Sequence, residues 1–254
     1  MSKTFEGKKV TAELIDLLRL RAMPIGIKMF KTKEEMDQIE KLRRPSGKAY
    51  VCQILAQAFQ NGFTIGCTAE DISGENCRCI VGLQEPSEYF RTMPMLKGGW
   101  FETEDDIIYH QALIGTAGTI YQGMAASPLR SERFVPDVCL IAATPGQSFM
   151  LLSGLTRSGF EPIDLAFVGE SSCSRGWVKT IRTGEPGFVP PCYSELRFSN
   201  FSENEMLISL TPDDLLKAIE GLKAFYKIGL RYPVPGFGIT TDPSEMFKKQ
   251  YGSY

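Results

Sequence analysis

Cysteine is the residue type in this sequence best equipped for chemistry. Seven are present in 254 residues, Cys52, Cys67, Cys77, Cys79, Cys139, Cys173 and Cys192, whereas His110 is the sole histidine. Thiolates are soft ligands that suit zinc or an iron-sulfur cluster, and they also serve as nucleophiles. One histidine is too few for an HExxH metalloprotease or a multi-histidine metal site. A Ser-His-Asp arrangement would have to recruit His110 without a nucleophile-elbow motif.

The closest pair lies in ENCRCIVG, residues 75–82. In a strand, Cys77 and Cys79 share a side and Arg78 points away; in a helix, the two thiols diverge around the axis. One ligand with a neighbouring thiol is therefore at least as good a reading as two ligands. Cys173 in SSCSRGW follows an apolar run among small residues, and Cys192 in GFVPPCYSELRF follows two prolines, so both sit at junctions that can present a side chain. Cys67 reads as core or rim. Cys52, on an apolar helical face, and Cys139, in CLIAA, read as buried structural thiols. The short CxxC pairs of many structural zinc sites are absent, while an iron-sulfur cluster accepts dispersed cysteines and needs no histidine.

Composition narrows the remaining classes. The chain is 43% hydrophobic, with 28 basic and 30 acidic residues for a net charge of −2, so it can build a sizeable core and carries no global charge for nucleic acid or an anionic membrane. The basic run KLRRPSGK, residues 41–48, reads as a solvated helix end or loop rather than a phosphate site. MSKTFEGKKV lacks the apolar centre of a secretory signal, and no apolar run reaches membrane-spanning length, which together predict a cytoplasmic protein. In that compartment thiols point to metal or redox chemistry before disulfides.

The elements that must position these residues read as one α/β or α+β unit over 1–254, with an irregular cysteine-bearing layer and an extended surface tail over 232–254. Helical periodicity covers ELIDLLRLRAM (13–23), KTKEEMDQIEKLRR (31–44), AYVCQILAQAFQNG (49–62) and a segment from about 104. PIGIKMF (24–30), FTIGC (63–67) and MLISL (206–210) read as strands. PDVCLIAATPG, SFMLLSGLTRSG and IDLAFVG in succession predict a βαβ element near 137–168, with a parallel pair in a mixed sheet. Thr211, Pro212, Asp213 and Asp214 form a helix start, followed by the stripe Leu215, Ile219, Leu222 and Tyr226. Neither ATPGQ nor GTAGT nor PGFG is a phosphate-binding or dinucleotide fingerprint.

Taken in order, PIGIKMF, Cys52 in AYVCQILAQA, ENCRCIVGL, PDVCLIAATPGQSFML, ESSCS and PPCYSELR resemble the family catalogued as domain of unknown function 169, a group found largely in archaea and anaerobic bacteria. The resemblance covers nearly the whole length. It implies a site built from Cys52, one of Cys77 and Cys79, Cys173 and Cys192, with Arg197 soon after the last; Cys67 and Cys139 fall outside its pattern. The resulting expectation is a redox-active iron-sulfur protein, an oxidoreductase by inference from ligand chemistry, with a [4Fe-4S]-type cluster on Cys52, Cys77, Cys173 and Cys192 and with Cys79 as the neighbouring thiol. Arg197 would balance the cluster's negative charge or orient an anionic substrate. Tyr193, Trp177 and Phe188 would line the entrance for an organic substrate. The expected partner is a small molecule or a redox protein, with no nucleic acid and no membrane, and self-association stays open. Two alternatives remain: a zinc-supported binding protein, and a metal-free thiol enzyme in which Arg175 or Arg197 activates Cys173 or Cys192.

Overall fold

In VCLIAA, Val138, Leu140 and Ala142 face one side of a strand while Cys139, Ile141 and Ala143 face the other, and all six are buried. Such a segment must lie in the middle of a sheet covered on both faces. The computed structural model, which describes residues 5–236 apart from 158 and 160, together with 242–244 and 248–249, shows this arrangement. Its strands are β1 (Ile25–Phe30), β2 (Ile65–Cys67), β3 (Gly123–Pro128), β4 (Val138–Ala143), β5 (Gly187–Val189) and β6 (Met206–Leu210), in the order β2-β3-β1-β4-β6-β5.

The helices are α1 (Gly7–Leu18), α2 (Lys33–Asp37), α3 (Val51–Asn61), α4 (Glu75–Ile80), α5 (Glu88–Thr92), α6 (Glu104–Ile114), α7 (Pro145–Thr156), α8 (Trp177–Thr183), α9 (Tyr193–Ser199) and α10 (Pro212–Lys227). Helices α1, α7 and α10 bury Leu14, Leu18, Leu151, Leu155, Leu215 and Leu222 against one face of the sheet. On the opposite face, Ile54, Leu55, Phe59, Ile80 and Trp177 pack with Ile27, Met124, Leu140 and Leu207. The α/β character and the single unit follow the sequence expectation.

The βαβ element does not form. Strand β4 pairs antiparallel with β1 on one side and with β6 on the other, so no position beside it is open to a parallel partner. The segment 161–168 instead runs without regular structure, Leu165 and Phe167 are exposed, and Ala166 N–H donates to the carbonyl of Phe188 in edge strand β5. All strand pairs are antiparallel, so the expected mixed sheet is corrected too; parallel contacts among the described residues are confined to isolated bridges.

Local signals fared differently along the chain. Helix α10 starts as its sequence dictates, with the Thr211 hydroxyl accepting from Asp214 N–H at 3.1 Å. The helix expected over 31–44 is only α2, because Arg43 uses its N–H and C=O to bind Thr64 and Gly66, each at 2.9 Å, in place of a helical turn. Strand β3, GMAASP, contains no β-branched residue; its place between β1 and β2 overrides its weak propensity. The expected tail over 232–254 lies largely outside the described residues.

Candidate metal centre

Four cysteines from four separate segments line one cavity of about 540 Å³ on the α3 side of the sheet: Cys52, Cys77, Cys173 and Cys192. Each lies at or just before a helical first turn. Cys52 is the second residue of α3, Cys77 the third of α4, Cys173 sits in the single 3₁₀ turn Ser172–Ser174 ahead of α8, and Cys192 is the N-cap of α9. Amide N–H groups have no intrahelical partner at such positions. Here several turn to sulfur: the Val51 backbone favours the thiolate of Cys77, and the backbones of Glu195 and Ser172 favour that of Cys192. The Cys52 thiol contacts the Ser194 carbonyl at 3.9 Å.

Packing explains the convergence. Helix α9 lies along α3, which places Cys192 near Cys52, and Gln60 Nε2 on α3 donates to the carbonyl of Ser199 at 2.8 Å. The loop carrying Cys173 is fixed to α9 by Glu195, which is 3% exposed and accepts hydrogen bonds from the Ser172 hydroxyl and, at 2.8 Å, from Cys192 N–H. It is fixed to α4 and α6 by a second chain of bonds: Gln111 Nε2 donates to Asn76 Oδ1 at 3.2 Å, and Asn76 Nδ2 donates to Ser171 Oγ at 2.8 Å. His110 contacts the Val168 carbonyl through Nε2 at 2.9 Å and holds the same loop from α6. It lies among structural contacts, not among the cavity-lining residues.

Electrostatics tie the four sulfurs together. Burial, as the largest cause, pushes Cys52 and Cys192 up to about 12 and Cys77 up to about 11, and Cys173 well above the ordinary thiol value. Charge on one sulfur raises another: Cys173 senses Glu195 first and then Cys77, Cys192 and Cys52. Glu170 and Glu195 also line the cavity, and burial raises both carboxyls. The site therefore concentrates latent negative charge and supplies hydrogen bonds to sulfur, with Arg78 the one basic residue in its lining.

The other sequence candidates are placed elsewhere. ENCRCI is helical, so its two thiols diverge: Cys77 lines the cavity, while Cys79 is fully buried and its thiol contacts the Glu85 carbonyl at 3.6 Å. Cys67 lies in β2 on the same side of the sheet, and Cys139 in β4 faces the opposite layer. Arg197 is exposed and donates through Nη1 to the Tyr193 hydroxyl at 2.7 Å; it is not among the cavity-lining residues. Arg175 does not line the cavity either. Of the expected entrance aromatics, Tyr193 lines the cavity. Trp177 is instead core, and Phe188 packs against the opposite layer. Tyr50, Tyr89, Trp100 and Phe198 take their place. Tyr89 and Trp100 come from segments without a chemical motif, Tyr50 and Phe198 lie in the stretches that carry Cys52 and Cys192, and Glu195 carried only the weak signal of its capping position, three residues after Cys192.

Among the described residues, no three His, Cys, Asp or Glu side chains form a group suited to one metal ion. Nor is any described helix long and apolar enough to cross a membrane.

Fold and cavity together define an α/β protein with helices on both faces of an antiparallel sheet and a cysteine-lined pocket on one of them. The chain belongs to the family described as uncharacterised ArCR, DUF169, whose model matches residues 13–221. No curated protein and no solved structure matches it.

Proposed function

We propose that Cys52, Cys77, Cys173 and Cys192 hold an iron-sulfur cluster of the [4Fe-4S] type and that the protein is redox-active. The observation that carries this reading is the convergence of those four thiols on one cavity with backbone N–H groups directed at sulfur. A single tetrahedral ion needs every donor within bonding distance of one point, whereas cysteines around a cluster bind different irons and stand farther apart. Hydrogen bonds to the sulfurs tune a cluster's potential, and the Val51, Ser172 and Glu195 amides are in place to supply them.

Metal-free thiol catalysis fits less well. A reactive cysteine is usually activated by a cation or a helix end that lowers its pKa, and here burial and neighbouring carboxylates raise all four. When bound, the cluster would supply one-electron chemistry. The chain's own contribution is to ligate it, to shield it within a cavity and to leave room for a small molecule or a redox partner beside it. Such a partner is consistent with a cytoplasmic setting. The test is metal and acid-labile sulfide analysis of protein purified without oxygen. Iron and sulfide at about four each per chain, with brown visible absorption, are expected. Stoichiometric zinc without sulfide would sink the proposal.

A further inference from the structure

A cluster that only passes electrons needs burial near a surface; it does not need a cavity of about 540 Å³, which falls in the size range of small-molecule sites. The cavity has two chemically distinct parts. Toward the cysteines it carries Glu170 and Glu195, and neither belongs to any ion pair among the described residues. Toward the mouth it is aromatic. Tyr50 and Phe198 stack with centroids 5.4 Å apart, and Trp100 meets Tyr193 edge to face at 5.6 Å. Trp100, Tyr193 and Phe198 remain between 43% and 48% exposed, so their ring surfaces are still accessible to a ligand.

The charge balance of the lining discriminates among ligands. One basic residue lines it, Arg78, whose Nε donates to Gln84 at 2.7 Å and Nη1 to the Ile72 carbonyl at 2.9 Å, against three acidic residues, Glu75, Glu170 and Glu195. An anion entering the cavity would meet three acidic side chains and four thiolate ligands, which outnumber the one guanidinium in the lining. A cation would meet both the carboxylates and the electron-rich ring faces, the combination that recognises methylated ammonium groups. The rings at the mouth already attract a cation from outside: the Arg197 guanidinium stands 5.7 Å from the centroids of both Tyr193 and Phe198.

We propose that the cavity beside the four cysteines is a binding site for a small organic cation of the methylated-ammonium class, with its charged head between Glu170 and the aromatic mouth. This deepens the cluster reading by naming the ligand class that would share the cavity, and in that respect rests on it. The ring pairs and Glu170 nonetheless make the site testable separately.

Calorimetric titration of the oxygen-free full chain with choline, and with its uncharged isostere 3,3-dimethylbutan-1-ol, tests the proposal, with iron and sulfide measured on the same samples. Choline should bind at least about tenfold more tightly than the isostere, a difference in the range of a desolvated cation-aromatic contact. Glu170→Gln and Trp100→Ala should each weaken choline binding at least about fivefold, with the isostere's binding little changed by Glu170→Gln. Circular dichroism confirms that both variants are folded. If a sample containing iron and sulfide fails to bind choline, or binds the isostere as well, the cation site is overturned and the cluster stands. A sample lacking iron and sulfide that still prefers choline overturns the cluster and upholds the cation site. Choline affinity unchanged in both variants also overturns the assignment.

Discussion

Replacing Cys77 and Cys79 by alanine, one at a time, separates a ligand from its neighbour in the same helical turn. The two thiols are two residues apart in α4, hence far apart around its axis, and only Cys77 lines the cavity. Cys77→Ala removes one of four proposed ligands, so iron and sulfide per chain should fall by at least half in oxygen-free preparations. Cys79→Ala leaves the four cavity thiols in place and should retain the full iron count. It removes one buried heavy atom from a fully buried site, which corresponds to about 1 kcal/mol, and in a chain of this size to a drop in melting temperature of about 2–4 °C. The two variants thus differ in kind: one loses metal, the other loses stability. Iron and sulfide assays, visible absorption and thermal denaturation on the same material read both effects. Equal metal loss in the two variants, or metal loss confined to Cys79→Ala, would refute the helical placement of the pair as the reason for their different roles.

Three further outcomes follow from the structure. In metal-free protein the buried thiols stay protonated to about pH 11 or 12, against 9.0 for an ordinary thiol. The unfolded chain therefore releases its protons first, and thermal stability should fall as pH rises from about 9 through 11; a melting temperature flat across that window contradicts the burial of these thiols. Gly221→Ala should destabilise by about 1–3 kcal/mol in denaturant titrations, because a Cβ there would lie 2.0 Å from the Gly154 carbonyl oxygen where α7 and α10 cross. Gln147→Leu should cost about 2–3 kcal/mol by the same measurement, since its buried Nε2 donates to the carbonyls of Leu18 and Arg19 at 2.9 and 3.1 Å and its Oε1 accepts from Thr144 N–H at 2.8 Å. A loss below 1 kcal/mol would mean that the end of α1 does not depend on that side chain.

The elements whose order rests on local chemistry were legible in the sequence. MLISL is β6, residue for residue, a short apolar run buried from Leu207 to Leu210, and Thr211-Pro212 starts α10 because an N-cap and a first-turn proline need no tertiary context. The cysteine content and the scarcity of histidine likewise point to the proposed class of chemistry without any knowledge of the fold. Sequence could not decide the geometry of ENCRCIVG, since the same spacing gives one shared face in a strand and two in a helix. Nor could it see that IDLAFVG finds no place in the sheet, because both neighbours of β4 are taken by strands from residues 25–30 and 206–210. Tertiary structure alone brings Tyr50, Trp100, Glu170 and Glu195 around the cysteines. Those residues act through proximity across segments up to 145 positions apart, from Tyr50 to Glu195, and no spacing rule encodes such a meeting. Residue types thus determined which chemistry the chain can support, while the packing of α9 on α3 and the tethered loop before α8 decided where it can occur.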